Sequence, residues 1–246
     1  MKKNRVFSRT FCYIFAICFV LLGWELTALL LDTPALPAPQ DTVPVFIQYL
    51  QELLPDLGIS ALRLVISLAI GTIVALPLGL ALGQSKKADA LFAPVLYIMY
   101  PLPKIVLLPI LLVILGLGGA PKIVLIALTI FFQVIVVMRD ASKGIPQNTI
   151  DAAKTLGANK FNIWHMIIIP STLPELFTTL RVSSAVAIAV LFFAEAIAGS
   201  TGIGYFIMES WAMVNYPRMF AGIIALALLG VIVYELFDLV QRKLSY

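Results

Sequence analysis

Charge is what this sequence has least of. Only 12% of its 246 residues are Asp, Glu, Lys or Arg, against about 25% in soluble domains. That shortage excludes a soluble globular chain. Cysteine is nearly absent, with Cys12 and Cys18 the only two. Six residues apart on a helix, they stand about 9 Å apart along the axis, beyond the roughly 7 Å that a disulfide tolerates between Cα atoms. Packing in the membrane is their expected role. Histidine occurs once, at His165, and no G-x-x-x-x-G-K-[ST] phosphate loop occurs, so ATP is not bound in that manner. No metal and no cofactor are expected.

Apolar residues take the place of charge, at 61% of the chain. Several runs reach the roughly 20 residues needed to cross a bilayer as a helix. The expected fold is all-α, a polytopic membrane protein with six transmembrane helices. The spans are Phe11–Leu31, Ser60–Gly83, Ala90–Leu115, Pro121–Met138, Leu173–Ala198 and Ala221–Val240. No segment between them is long enough for a separate soluble core, so residues 1–246 read as one transmembrane domain, with its core at about 58–243. The first run has no small-residue cleavage site before Glu25 and reads as an uncleaved span.

The formal charge of +4 does not indicate nucleic acid, because position explains it. Lys2, Lys3, Arg5 and Arg9 precede the first span, and Lys86 and Lys87 follow the second. Arg139, Lys143, Lys154 and Lys160 follow the fourth, and Arg242 and Lys243 follow the last. These are 12 of the 17 basic residues, and the positive-inside rule makes their face cytoplasmic. Both termini are then inside, which an even number of crossings satisfies. Lys122 and Arg218 fall on the other side.

Local signals refine the picture. Prolines 34, 37, 39 and 44 argue against a continuous helix after the first span. From Phe46 to Leu57 apolar residues recur with helical period among Gln48, Gln51 and Glu52, which predicts an amphipathic helix on the outer membrane surface. Gly71 and Gly79 predict close helix packing in the second span. Pro101, Pro103 and Lys104 interrupt the third. A lysine at that depth costs at least ~2.5 kcal/mol, so the break faces protein or water, as a simple kink or as part of a polar route. Gly116 to Ala120 predicts a tight outer turn. Ser200 and His165 fall on opposite sides of the membrane, which excludes a serine–histidine hydrolase.

The most polar stretch between two spans is residues 148–170, NTIDAAKTLGANKFNIWHMIIIP. It reads as helix, glycine turn, helix. Asn148 or Thr149 is expected to cap the first helix, with Asp151 in its first turn. Asp151 and Lys154 form an i,i+3 pair. Ala152 and Ala153 leave room for another surface, Gly157 ends the helix in left-handed geometry, Asn159 caps the next, and Pro170 stops it or opens the following span. His165 reads as a surface residue of the second helix.

This pattern resembles the cytoplasmic signature of permease subunits in binding-protein-dependent ABC importers. That signature is Glu-Ala-Ala, three residues, Gly, nine residues, Ile, one residue, Leu-Pro. Here it reads Asp151-Ala152-Ala153, Gly157, Ile167 and Ile169-Pro170 at the same spacings, with Asp for Glu and Ile for Leu. The resemblance implies a type I importer permease in a bacterial inner membrane, with Asp151, Ala152, Ala153, Gly157, Ile167 and Pro170 coupling to a separate ATPase. It further implies two ATPase subunits, a second permease copy as a homodimer, and an extracytoplasmic substrate-binding protein. The chain itself is then no enzyme. Residues 199–220, with Tyr205, Trp211 and Tyr216, would help form the outer gate and the docking surface for the binding protein.

The stretches Leu36-Pro37-Ala38-Pro39 and Pro101-Leu102-Pro103-Lys104 resemble the nitrate, sulfonate, taurine and bicarbonate branch, and residues 215–220 lean toward its thiamine-pyrimidine-precursor group. Lys104, Arg181, Ser183 and Ser184 are the candidate lining of the substrate path, although Arg181 can also snorkel to the inner surface. Neither Lys104 nor Arg181 shows an acidic partner at its own depth, which counts against the alternative, an ion-coupled secondary transporter.

Overall fold

Proline and glycine set where the helices begin and break. The structure, a computed structural model, describes the backbone of residues 2–244, without the side chains of residues 2–10, Cys12 and Leu244. The side chains of Lys2, Lys3, Arg5 and Arg9 and of Cys12, on which the charge and cysteine readings drew, therefore lie outside the described residues; Cys18 is exposed. Helix α1 covers Lys2–Leu31. Pro34 and Pro37 keep the next stretch open, and Pro39 starts α2, Pro39–Gln48, where its missing N–H is not needed. Pro44, expected to bar a helix, lies inside α2, at the cost of one backbone hydrogen bond.

Helix α3 runs without interruption over Leu50–Gln84. The amphipathic segment predicted at 46–57 is therefore not a separate surface helix. Tyr49 divides it between α2 and α3. Protein covers only part of its apolar side: Leu53 is buried against Ile203, Phe206 and Ala221, with Phe46 and Leu57 packed alongside, while Ile47, Leu50 and Leu54 stay exposed. Periodicity marks an apolar face but does not say what covers it.

Ser85 caps α4, Lys86–Met99, by accepting the Ala88 N–H at 3.3 Å. Pro101 and Pro103 then forbid helix continuation. A 3-10 turn at Lys104–Leu107 leads into α5, Leu108–Leu115. The two halves are bent by 85°. The Lys104 ammonium folds back onto the end of α4, donating to the carbonyls of Met99 at 2.6 Å and Tyr100 at 2.7 Å. These are carbonyls that a helix end leaves without intrahelical partners. Gly116 and Gly118 turn the chain in positive-φ geometry, as expected, into α6, Ala120–Lys143.

Beyond α6 come α7, Gln147–Thr155, α8, Lys160–Ile163, and a π-helical turn at Trp164–Ile168. Three further helices follow: α9, Ile169–Ala198, α10, Ile203–Ala212, and α11, Tyr216–Leu244. Among the described residues, five helices are long and apolar enough to cross a membrane, or six where the bent pair is counted as one span.

Helices α3 and α6 run parallel and nearly touch. A Cβ placed on Gly71 would come within 2.7 Å of the Ala127 carbonyl, and one on Gly79 within 2.8 Å of the Ile135 carbonyl. Small residues thus bring two backbones together, which is how helices associate where lipid is as apolar as leucine. Around this seam lies the main core, with Leu64, Ile130, Val134 and Met138 joined by Ala187 and Leu191 of α9.

Candidate functional site

Residues 144–170 form an irregular knob at the end of the bundle where α3 and α6 finish. Pro146, rather than Asn148 or Thr149, occupies the cap of α7 and offers no side-chain bond, because the helix already begins at Gln147. Asp151 consequently lies beyond the first turn. Its carboxylate accepts from Lys154 Nζ at 3.0 Å and Gln147 Nε2 at 3.1 Å. Those two bonds, the ammonium first, hold the Asp151 pKa below its ordinary value.

The end of α7 is a Schellman turn. The Ala158 N–H donates to the Ala153 carbonyl at 3.0 Å and the Gly157 N–H to Lys154 at 2.9 Å, with Gly157 at φ +87°. Asn159 Oδ1 accepts the Asn162 N–H at 2.8 Å and caps α8. Pro170 lies in the opening turn of α9. His165 is exposed and stacks on Phe161.

One face of α7 is fixed and the other is bare. Ile150 is buried in the main core, and Ala153 packs partly against it. Asp151, Ala152 and Lys154 are exposed. So is Leu156, at 88% of its area. The two alanines therefore serve different faces, with Ala152 alone open to an incoming surface. Leu156 was missed by the sequence reading, which treated it as a spacer between Lys154 and Gly157. Ile167 is half-buried beside the buried Ile163 and Ile168.

Beneath α7, Arg139 is buried between α4 and α6, where it pairs with Asp89 and approaches the Tyr97 ring. Lys143 joins Asp89 at 2.9 Å. Gln84 binds the Ser142 carbonyl at 2.7 Å. This polar cluster borders a cavity of about 450 Å³ that Gln147 and Ile150 also line. Arg139, counted from sequence among the surface charges, is thus part of the packing.

The four candidate path residues are not brought together. Lys104 lines a cavity of about 360 Å³ between α6 and α9. Ser184 lines a different groove, of about 640 Å³, with Tyr234 and Gly230; its hydroxyl donates to the Arg181 carbonyl at 2.7 Å. Ser183 is buried. Arg181 pairs with Asp238 of α11 at 2.7 Å, a partner 57 positions away that the sequence did not reveal.

At the opposite end, Glu195 is fully buried. It accepts from Arg63 at 2.7 Å, from Ser60 Oγ at 2.8 Å and from the Gly204 N–H at 3.0 Å. Arg63 also donates to the Thr201 carbonyl at 2.9 Å. Gly202, at φ +105°, leaves no space for a Cβ beside the Glu195 carboxyl. Nearby, Arg218 pairs with Glu52 and with Glu209 at 3.1 Å and lies 4.2 Å from the Phe206 ring centre. These bonds lash α10 to α3, α9 and α11.

Comparison with known proteins agrees with this architecture. Residues 57–246 match the family described as binding-protein-dependent transport system inner membrane component. The taurine transport system permease protein TauC of Escherichia coli is 28% identical over 230 residues, covering 90% of this chain and 84% of that protein. The putative aliphatic sulfonates transport permease protein SsuC of Bacillus subtilis is 30% identical over 215 residues, covering 85% and 76%. The formylaminopyrimidine transport permease protein ThiX of Halalkalibacterium halodurans is 27% identical over 215 residues, covering 87% and 86%. Among solved structures, inward-facing forms of the MetNI methionine ABC transporter share the fold, with TM-scores of 0.66 and 0.68 at 20% identity, over 78% and 80% of this chain and 95% and 98% of those chains. The chain belongs to the binding-protein-dependent transport system inner membrane components, as a multi-pass permease subunit of an ATP-driven importer whose ATP hydrolysis lies in a partner.

Proposed function

We propose that α7 and α8 form the coupling element of this permease, and that the end carrying them is cytoplasmic together with both termini. The carrying observation is the split face of α7. Ile150 and Ala153 root it in the core while Asp151, Ala152 and Leu156 stand free. A rooted helix with a small, bare, partly apolar outer face suits docking into a groove on an ATPase subunit. Gly157, Ile167 and Pro170 shape the turn and its return to the membrane. Two permease copies, each engaging one ATPase subunit, complete the assembly, and a binding protein delivers solute at the α10 end. Movement of α7 then passes through Ile150 to α6 and α3. Lys104 lines the path of a small polar or anionic solute of the kind named for the taurine, sulfonate and formylaminopyrimidine permeases; Arg181, Ser183 and Ser184 support the neighbouring helix packing.

The test uses the permease expressed with its ATPase. A cysteine at position 152 is expected to react with an impermeant maleimide only from the cytoplasmic side, and Leu156→Asp to abolish co-purification of the ATPase while the permease still inserts. Labelling from outside, or intact association in Leu156→Asp and Ala152→Trp alike, overturns the proposal.

A further inference from the structure

Lys122, in the first turn of α6, is only 2% exposed. It makes no hydrogen bond and no ion pair among the described residues. The charges that act on it are those of Arg63 and Glu195. Its place is costly in three ways. Burial strips its water, the positive end of the α6 dipole repels it, and Arg63 already holds the nearby carboxylate. Both Glu195 oxygens are taken, by Arg63, by Ser60 and by the Gly204 N–H.

The packing divides this end of the bundle into two units. Helices α3 and α6 form one, since Gly71 and Gly79 bring their backbones together and Ser67 Oγ donates to the Ile123 carbonyl at 3.1 Å. Arg63 and Lys122 therefore travel together. Helices α9 and α10 form the other: a Cβ on Gly204 would come within 2.6 Å of the Phe192 carbonyl, and the Gly204 N–H donates to Glu195 at 3.0 Å. Glu195 travels with α10.

The hydrogen bonds between the units come from one face of α3, where Asp56, Ser60 and Arg63 recur at helical spacing. Asp56 accepts the Gly202 N–H at 2.6 Å. Ser60 Oγ accepts the Ile203 N–H at 2.9 Å and donates to Glu195 at 2.8 Å. Arg63 donates to Glu195 at 2.7 Å and to the Thr201 carbonyl and hydroxyl at 2.9 and 2.8 Å. Parting the units breaks these bonds and leaves the Gly204 bond whole. It would also strand a buried carboxylate, a strongly unfavourable state, if Arg63 were the only cation within reach.

We propose that Lys122 is the alternate partner of Glu195: when α9 and α10 part from α3, the carboxylate passes from Arg63 to Lys122. Lys122 is thus a positioning residue for the open state, idle in the closed one. Two discrete pairings make the joint bistable rather than gradually yielding. The inference rests on the importer reading, in which the α10 end is the outer gate.

The test is hydrogen exchange, read residue by residue, on the permease–ATPase complex with its binding protein in nanodiscs, first without nucleotide and then trapped with ATP and vanadate. Trapping is expected to expose the amides of Gly202 and Ile203, which donate to α3, and to leave that of Gly204 protected. Lys122→Met is expected to leave all three unchanged without nucleotide and to slow exchange at 202 and 203 about tenfold in the trapped complex, as the loss of one charged hydrogen bond implies. In Glu195→Gln, which keeps the hydrogen bonds without the charge, adding Lys122→Met is expected to change nothing further. Equal exchange in the unaltered and Lys122→Met trapped complexes overturns the proposal. So does loosening of these amides by Lys122→Met without nucleotide, which makes Lys122 a brace of the closed state, or an undiminished effect of Lys122→Met in Glu195→Gln. If the amides at 202 and 203 stay protected in the unaltered trapped complex, the gate reading of the α10 end falls as well.

Discussion

The segments at the two ends of this bundle, α10 and α7, treat charge in opposite ways. At the α10 end, Glu195 is entirely buried, and every bond it accepts comes from another part of the chain, on α3 or α10. At the α7 end, Asp151 is exposed and bonds only to its own helix, through Gln147 and Lys154. Buried ion pairs are hard to break because each partner, left alone, is an uncompensated charge. Exposed pairs are worth about 0–1 kcal/mol. One end is therefore self-sufficient and holds its elements in fixed places. The other leaves its outer face unsatisfied, ready for a surface supplied by another protein.

The sharpest way to break the contrast is to remove Glu195. Glu195→Ala strands Arg63 in the protein interior and is expected to cost about 3–5 kcal/mol. Thermal unfolding in detergent reads it. A paired change, Arg63→Met with Glu195→Leu, is expected to recover most of that loss. Equal instability of the single and double variants shows that the pair is not what fixes this end.

Next in size is the root of the coupling knob. Ile150→Ala removes the apolar anchor of α7 and is expected to cost about 2–4 kcal/mol if the site cannot collapse. The loss should concentrate in faster hydrogen exchange of residues 147–158, with α10 unaffected. Asn159→Ala removes the cap of α8 and is expected to cost about 1 kcal/mol, read by the same exchange over residues 160–163. If either variant loosens α10 as much as α7, the two ends are not independent.

What could be read from the sequence divides along similar lines. The Gly157 turn, the Asn159 cap, the Pro170 helix start and the break at Pro101–Lys104 are each written within a few residues, and each was legible. The existence of the spanning helices followed from apolar runs, but not all of their ends: α3 starts at Leu50 rather than Ser60, and α11 runs over Tyr216–Leu244 rather than Ala221–Val240. The Asp151–Lys154 pair was legible, but the long-range ion pairs were not: Arg63 and Glu195 lie 132 positions apart, and Asp89 and Arg139 lie 50 apart. No local pattern links them. The division of labour between Ala152, Ala153 and Leu156 also escaped, because it depends on which side of α7 meets the core. The segment at 46–57 was legible only in part, since the burial of Leu53 is decided by the distant Ile203 and Phe206 while Ile47, Leu50 and Leu54 stay exposed.

The smallest expected effect tests the contrast through pH. The Glu209 pKa is lowered from its ordinary 4.5, first by the hydrogen bond from Tyr205 and then by that from Arg218. A carboxylate whose pKa is depressed on folding lends stability above its unfolded pKa and loses it as pH falls through the folded value. Acidification below about 4.5 is therefore expected to loosen α10, where Glu209 joins Arg218 and, through it, Glu52. Asp151 is depressed as well, but it is fully exposed and tied only within α7, so its protonation releases nothing else. Hydrogen exchange between pH 6 and pH 4, corrected for intrinsic rates, is expected to speed up over residues 203–212 and to stay level over 147–155. Glu209→Gln, which keeps the Tyr205 contact without the titrating proton, is expected to abolish the α10 response. A response that survives in Glu209→Gln, or an equal response in α7, refutes the idea that α10, unlike α7, depends on charges bridging separate helices.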